Sequence, residues 1–249
     1  MNTHEKFYSN NKNYTNFLKN QNPSVFKKYV KAFIKYSKKN EYILDVGCGT
    51  GSVMSIVNRK GNRNIYGIEI SKTSVKECKT RKLNCKIYNG KSIPFQDNYF
   101  HVVGSFNVLE HTDDPINFLN EQYRVLRNNG YIVVVCPNFL STTNNYHRNT
   151  RGTLKKIQNL YAIIRKTVSK KFRFDKMETT LEKSFQPDDD AVNATNPIDI
   201  LKWSKSKSLK LVYWSSQQQD ATKLLGLLDN GVFKCFLGAC FFVFKRTDH

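Results

Sequence analysis

From Tyr42 onward the chain alternates short apolar runs with longer stretches in which apolar residues recur every three or four positions. The runs Tyr42–Val46, Asn64–Ile68, Lys86–Tyr88, His101–Phe106 and Tyr131–Cys136 predict strands, and Ser52–Arg59, Ser71–Thr80 and Pro115–Leu126 predict helices between them. Asn129-Gly130 is expected to close the last of these helices as a Gly stop before the β-branched run Ile132–Val135. Strands that are apolar at nearly every position are buried on both faces. That is the condition of a mainly parallel sheet with helices on each side, so the expected fold is α/β. Ahead of this region, Phe26, Val30, Phe33 and Ile34 stand at helical spacing behind Pro23, which predicts a helix over Ser24–Lys39.

The rhythm breaks after Pro137. Residues 138–185 are polar, then basic through Lys155, Lys156, Arg165, Lys166, Lys170 and Lys171. Leu154, Ile157, Leu160, Ile163 and Ile164 recur within this segment, predicting a helix with one greasy and one basic side. The α/β pattern then resumes with a helix from Pro197 to Lys205 capped by Asn196 and a strand over Leu209–Trp214. A helix over Ala221–Leu228 and a last strand over Phe241–Lys245 follow. One domain of 249 residues is expected: a helical cap (1–39), a ligand-binding core (40–138), an insertion on the substrate side (139–195) and a C-terminal completion of the sheet (196–249).

Composition bounds the class. An apolar share of 39% and an aromatic share of 13% suffice for a sizeable core. Residues 1–22 lack an apolar signal-peptide core, and the longest apolar run, Cys235–Phe244, is half of the ~20 residues a span needs. A cytoplasmic protein without a membrane span is expected. The six cysteines show neither a CxxC pair nor a His-linked ligand spacing, so no metal site and no structural disulfide are expected. Forty Lys and Arg against 20 Asp and Glu give a formal charge of +20. A field of that sign favours anionic partners: phosphorylated sugars, anionic lipid surfaces or RNA. An AT-rich genome would also enrich Lys and Asn, although it would not remove acids.

The chemistry concentrates in Ile43-Leu44-Asp45-Val46-Gly47-Cys48-Gly49-Thr50-Gly51, which follows a strand and opens a helix. Glycines let the main chain turn tightly and a ligand approach it, while the helix N-terminus offers unpaired N–H groups. A phosphate-cradling loop would carry a Lys-Ser/Thr pair after its last glycine, and none is present. A dinucleotide fingerprint wants Gly or Ala where Ser52 stands, and gives no reason for an acid at position 45. Asp45 suits a ligand carrying an ammonium and a sulfonium. Glu69 ends the second strand eighteen residues after Gly51, where a carboxylate can accept both hydroxyls of a ribose.

Together with Gly67–Glu69, Lys91–Val103, Ser105–Pro115 and Arg124–Pro137, this run resembles the successive motifs of the class I S-adenosylmethionine-dependent methyltransferases, type 11/23-like. The resemblance is good over Tyr42–Asn138 and weak elsewhere. It implies a Rossmann-like seven-stranded sheet with the last strand antiparallel, here with a helical basic insertion after the fifth strand. It also implies S-adenosylmethionine as cofactor. Asp45, Gly47, Cys48, Gly49 and Gly51 would hold its methionine end, Glu69 with Ile70 its ribose, and Asn89, Gly90 and Lys91 its adenine. Asn89 stands where the family often has Asp, keeping an acceptor oxygen but losing the charge. Asn107 and Val108 would line the sulfonium side.

His111 can act as general base on an acceptor hydroxyl; alternatively Glu110-His111 only anchors its loop. Tyr146, His147 and Arg148 are candidates for an anionic acceptor, and Asp188 and Asp190 for sugar hydroxyls, each with a plain surface role as the alternative. The expected reaction is methyl transfer to a hydroxyl of a sugar or another small or lipid-linked anionic metabolite, of a kind met in surface-glycan biosynthesis. An RNA methyltransferase competes because of the charge, and a non-catalytic binding protein on the same fold is a third reading. The intact glycine run and Glu69 argue against the third.

Overall fold

The computed structural model describes residues 18, 20–143, 150–179, 190–216 and 231–247. The expected helix over 221–228 lies outside these residues. A 3-10 turn, Pro23–Phe26, capped by the Asn22 side chain, leads into α1 (Lys27–Tyr36). There follow β1 (Ile43–Val46), α2 (Ser52–Arg59), β2 (Ile65–Glu69), α3 (Lys72–Thr80), β3 (Asn84–Ile87) and β4 (Phe100–Phe106). Next come α4 (Pro115–Val125), β5 (Leu126–Pro137), α5 (Thr153–Val168), the two-residue strands β6 (Asp175–Lys176) and β7 (Asn193–Ala194), and α6 (Pro197–Ser206). β8 (Leu209–Ser215) and β9 (Ala239–Arg246) complete the chain.

Seven strands form one sheet in the order β3-β2-β1-β4-β5-β9-β8. β1, β2, β3, β4 and β5 pair in parallel, and β9 runs antiparallel to both β5 and β8. The last strand is therefore the reversed one, as expected. Strand order turns back between β1 and β4, so their carboxyl ends open a crevice where ligands of such sheets bind.

Each face of the sheet carries its own core. On one, Leu44, Val46, Phe100, Val103, Phe242 and Phe244 pack with Leu119 of α4 and Trp203 of α6. On the other, Ile43, Val102, Val133, Val135 and Phe241 pack with Tyr29 and Phe33 of α1 and Met54 of α2. Alternate residues of one strand thus serve opposite cores, the consequence of a two-residue side-chain period. α1 comes unusually close to the sheet because β4 presents Gly104: a Cβ there would stand 2.5 Å from Tyr29 Oη and 2.7 Å from Phe33 Cζ. The helix starts are set by local chemistry. Asp114 accepts from the Ile116 and Asn117 amides and Asn196 from Asp199, each followed by a proline in the first turn.

One boundary differs from expectation. α4 ends at Val125, and Asn129-Gly130 does not close it. The chain instead enters β5 at once, pairs Leu126 with Phe100, then makes a detour before Tyr131 pairs with Val102. Asn129 supplies the left-handed residue of that detour, with φ of 61°, and Gly130 allows close passage by the His101 carbonyl, 2.8 Å from where a Cβ would sit.

Candidate active site at the carboxyl ends of β1, β2 and β4

Between β1 and α2 the backbone turns through three left-handed glycines: Gly47, Gly49 and Gly51, with φ of 74°, 52° and 81°. Side chains are excluded there by space as well as by torsion. A Cβ on Gly47 would lie 2.4 Å from Val108 Cγ2, and one on Gly51 2.4 Å from Leu83 Cδ1. The loop is therefore wedged between the segment leaving β4 and the segment entering β3.

Two buried carboxylates stand beside it. Glu69 Oε2 accepts from the Gly49 amide at 3.0 Å, and Oε1 from the Ser71 amide at 3.0 Å. Burial raises its pKa against the lowering effect of these N–H donors. Each oxygen keeps a second lone pair, so both remain able to accept from vicinal hydroxyls. Asp45 Oδ1 accepts from Tyr29 Oη at 3.0 Å. Burial pushes Asp45 up to about 7, opposed by the Tyr29 hydrogen bond and reinforced by Cys78 and the Glu69 charge. A buried acid poised near neutrality is a receptor for an arriving cation, because that cation supplies the charge the site lacks.

Asn89, Gly90 and Lys91 form an exposed turn. Asn89 Oδ1 accepts from the amides of Lys91 and Ser92, both at 2.9 Å, so this oxygen shapes the turn itself. Its Nδ2 is the group left to face a ligand, a donor where the family's Asp offers an acceptor. Asn107 adopts a left-handed φ of 52° directly after β4, with its amide bonded to Val135 O at 2.8 Å. Val108 follows and touches Gly47 as described.

One turn further on, within the 3-10 turn Leu109–His111, the amide of His111 bonds Val108 O at 3.0 Å. The His111 ring stands between two carboxylates: Nδ1 is 3.4 Å from Asp190 Oδ1 and Nε2 is 3.7 Å from Glu110 Oε1. Both acids are buried. Asp190, a candidate for sugar hydroxyls, lies beside His111. Tyr146, His147, Arg148 and Asp188 lie outside the described residues.

Two contributors are invisible in the sequence. Asn193 in β7 is fully buried and its Nδ2 reaches the carbonyls of Leu109, Glu110 and Thr112 at 3.4, 3.4 and 2.6 Å, clamping the His111 turn from 81 or more residues away. Lys176 in β6 joins the clamp through Asn193 Oδ1 at 2.9 Å and Asp113 O at 2.8 Å. The second contributor is a convergence of thiols. Cys48, Cys78 and Cys85 bring their sulfurs within 4.8 Å of one another below the glycine loop, and Cys78 Sγ donates to Gly49 O at 3.3 Å. No spacing rule signals three cysteines brought together from a loop, a helix and a strand. Three thiols are one ligand short of a closed tetrahedral zinc site, and we read them as small apolar packing that also supports the loop.

A doubly wound sheet reversed only at its last strand, a three-glycine turn at its switch point and a buried acid ending β2 are features that this chain shares with the class I S-adenosylmethionine-dependent methyltransferases. Residues 44–134 match the family model described as a methyltransferase domain. The chain is similar to an uncharacterised methyltransferase of Schizosaccharomyces pombe, 33% identical over 113 residues covering 40% of this chain and 41% of that protein. It is also similar to the O-methyltransferase resE of Aspergillus sclerotiorum, 31% identical over 118 residues, 41% of this chain and 44% of that protein. The matches thus span less than half the length of either relative. A geranyl diphosphate methyltransferase in complex with S-adenosylmethionine shares the fold, with a TM-score of 0.57 at 12% identity over 90% of this chain and 85% of that one. Among the described residues no helix is long and apolar enough to cross a membrane.

Proposed function

We propose that the protein transfers the methyl group of S-adenosylmethionine to a hydroxyl of a sugar or another small or lipid-linked anionic metabolite. Asp45 and the Gly47-Cys48-Gly49-Thr50-Gly51 turn hold the methionine end, Glu69 and Ile70 the ribose, Asn89, Gly90 and Lys91 the adenine, and Asn107 with Val108 the sulfonium side. Bound S-adenosylmethionine supplies an electrophilic methyl that leaves in an in-line displacement, so the protein's main task is to fix the acceptor oxygen in line. The carrying observation is His111 between Asp190 and Glu110, one turn from the residue that packs on Gly47. The flanking carboxylates hold the imidazole in place, and a ring nitrogen of His111 takes the proton of the acceptor hydroxyl.

The experiment is methyl transfer to candidate glycans and lipid-linked sugars, read by mass spectrometry, with His111→Gln as control. His111→Gln should slow transfer on the order of a hundredfold or more while leaving S-adenosylmethionine binding unchanged. Unimpaired transfer would reduce Glu110-His111 to a loop anchor. The charge of +20 keeps RNA as the second reading, which predicts a salt-sensitive mobility shift with bulk RNA; absence of any shift removes it.

A further inference from the structure

α5 is built inside out. In a globular protein an amphipathic helix turns its aliphatic stripe to the core and its polar face to water. Here Leu154, Ile157, Leu160, Tyr161, Ile164 and Val168 lie along one face at spacings of three and four, and they are 70%, 60%, 43%, 69%, 55% and 79% exposed. The face turned to the protein is instead mostly polar. Asn159 Nδ2 bonds the carbonyls of Phe139 and Ser141 at 3.2 Å each, and Lys166 Nζ reaches Asp199 Oδ2 at 2.7 Å and Arg173 O at 2.6 Å. Ile163 alone adds a fully buried aliphatic contact, against Leu140 and Ile198. Specific polar bonds thus fix which way the helix faces, and the fixed orientation presents the greasy side outward. A contiguous apolar patch of this kind on a soluble surface marks an interaction site.

We propose that α5 is a docking helix that lies flat on an anionic lipid bilayer, its apolar stripe sunk to the acyl boundary and its flanking cations on the headgroups. Charge selects this occupant. Residues 150–174 hold eight Lys and Arg and no Asp or Glu; Lys166 is buried against Asp199 and Arg165 pairs with Asp175, while Arg151, Lys155, Lys170 and Lys171 are exposed along or just beyond the helix. Aliphatic residues flanked by Lys and Arg on a helix too short to span are the pattern of an interfacial helix. A second copy of the chain would set like charges, +20 on each, face to face. RNA would satisfy the cations but offers the aliphatic stripe nothing apolar to bury against.

The placement also serves catalysis. Asn159 fastens α5 to the segment leaving the carboxyl end of β5, the same edge of the sheet as the glycine loop. Docking through α5 would therefore act on a helix anchored at the cofactor edge of the sheet. The inference stands on α5 itself and survives if the acceptor proves not to be lipid-linked.

The test is flotation of the full chain with phosphatidylcholine vesicles and with vesicles containing phosphatidylglycerol. Binding is expected to the anionic vesicles, to weaken as salt is raised, and to fall on the order of tenfold or more in the double variant Ile157→Asp, Ile164→Asp. Unfolding temperature and S-adenosylmethionine binding report that this variant is folded, since both positions face solvent. Lys170→Glu with Lys171→Glu should weaken anionic binding without touching the stripe. No flotation at low salt overturns the proposal, as does flotation that the aspartate variant retains. A concentration-dependent dimer dispersed by the aspartates, with no vesicle binding, assigns the stripe to a second copy and overturns it equally.

Discussion

Asp45 shows how one residue's environment becomes a measurable property. Its carboxyl is buried, bonded to Tyr29 Oη at 3.0 Å and pushed up to about 7. Without ligand, the folded state holds the proton more tightly than the unfolded chain does. This group's contribution to stability therefore falls as pH rises from the ordinary carboxylate range towards 7. A cationic ligand reverses the preference by favouring the carboxylate. S-adenosylmethionine should thus bind more weakly as pH falls below about 7, with proton release on binding; calorimetry in buffers of differing ionisation enthalpy counts those protons. Asp45→Asn should weaken binding and flatten its pH dependence, and a pH-dependent affinity unchanged in that variant would remove Asp45 from the site. Asp45 and Glu69 were both legible in the sequence, because a strand end and a fixed distance to the next strand dictate where such acids stand. Tyr29 was not: it was one more aromatic in an N-terminal helix, and only Gly104 lets it come near enough.

Among the elements, periodicity sufficed wherever an element was made by its own pattern. The helix Ser52–Arg59 was read to the residue and the sheet strands to within a few, apart from the start of β5, which lies five residues earlier. Elements made by distant partners escaped. β6 and β7 are two residues each and exist because Asp175 and Lys176 meet Ala194 and Asn193, and nothing local marks them as strands. Asn129-Gly130 misled for a related reason, since a left-handed Asn followed by Gly suits an excursion within a strand as well as a helix stop. The ribbon has a consequence for activity, because Asn193 clamps the turn that carries His111. Asn193→Ala should lower the rate of methyl transfer on the order of tenfold or more by loosening that turn, while S-adenosylmethionine binding through the glycine loop persists. Parallel measurement of kcat and cofactor affinity checks it; equal losses in both would show a general folding defect instead.

The whole molecule joins two halves that differ in legibility. Residues 44–134 form the stretch that matches the family model, and there the pattern, motifs and sheet order agree. The other half meets the first through β9 along β5, through Phe242 and Phe244 in the core and through polar contacts such as Asn193 to Thr112, all between residues far apart in sequence that no local pattern announces. Within that other half, the buried pair Lys166–Asp199, at 2.7 Å, is a central tie. It joins α5 to α6, and Asp199 also accepts from Asn196 Nδ2 at 2.8 Å and from the Arg173 amide at 3.3 Å. Removing Asp199 leaves Lys166 buried with only the part-exposed Asp175, 3.1 Å away, as a charge partner, at a cost of up to about 3–5 kcal/mol, whereas replacing both members with apolar groups of similar size costs far less. Asp199→Ala should therefore lower the unfolding free energy by about that much, with Lys166→Met plus Asp199→Leu recovering most of the loss in denaturant titration. The same double variant separates stability from orientation. It removes the Lys166 share of the bonds that turn the greasy face of α5 outward, leaving those of Asn159, while keeping the chain folded. Vesicle flotation should then weaken although every residue of the apolar stripe is intact, and undiminished flotation would show that Asn159 and Ile163 suffice to orient the helix.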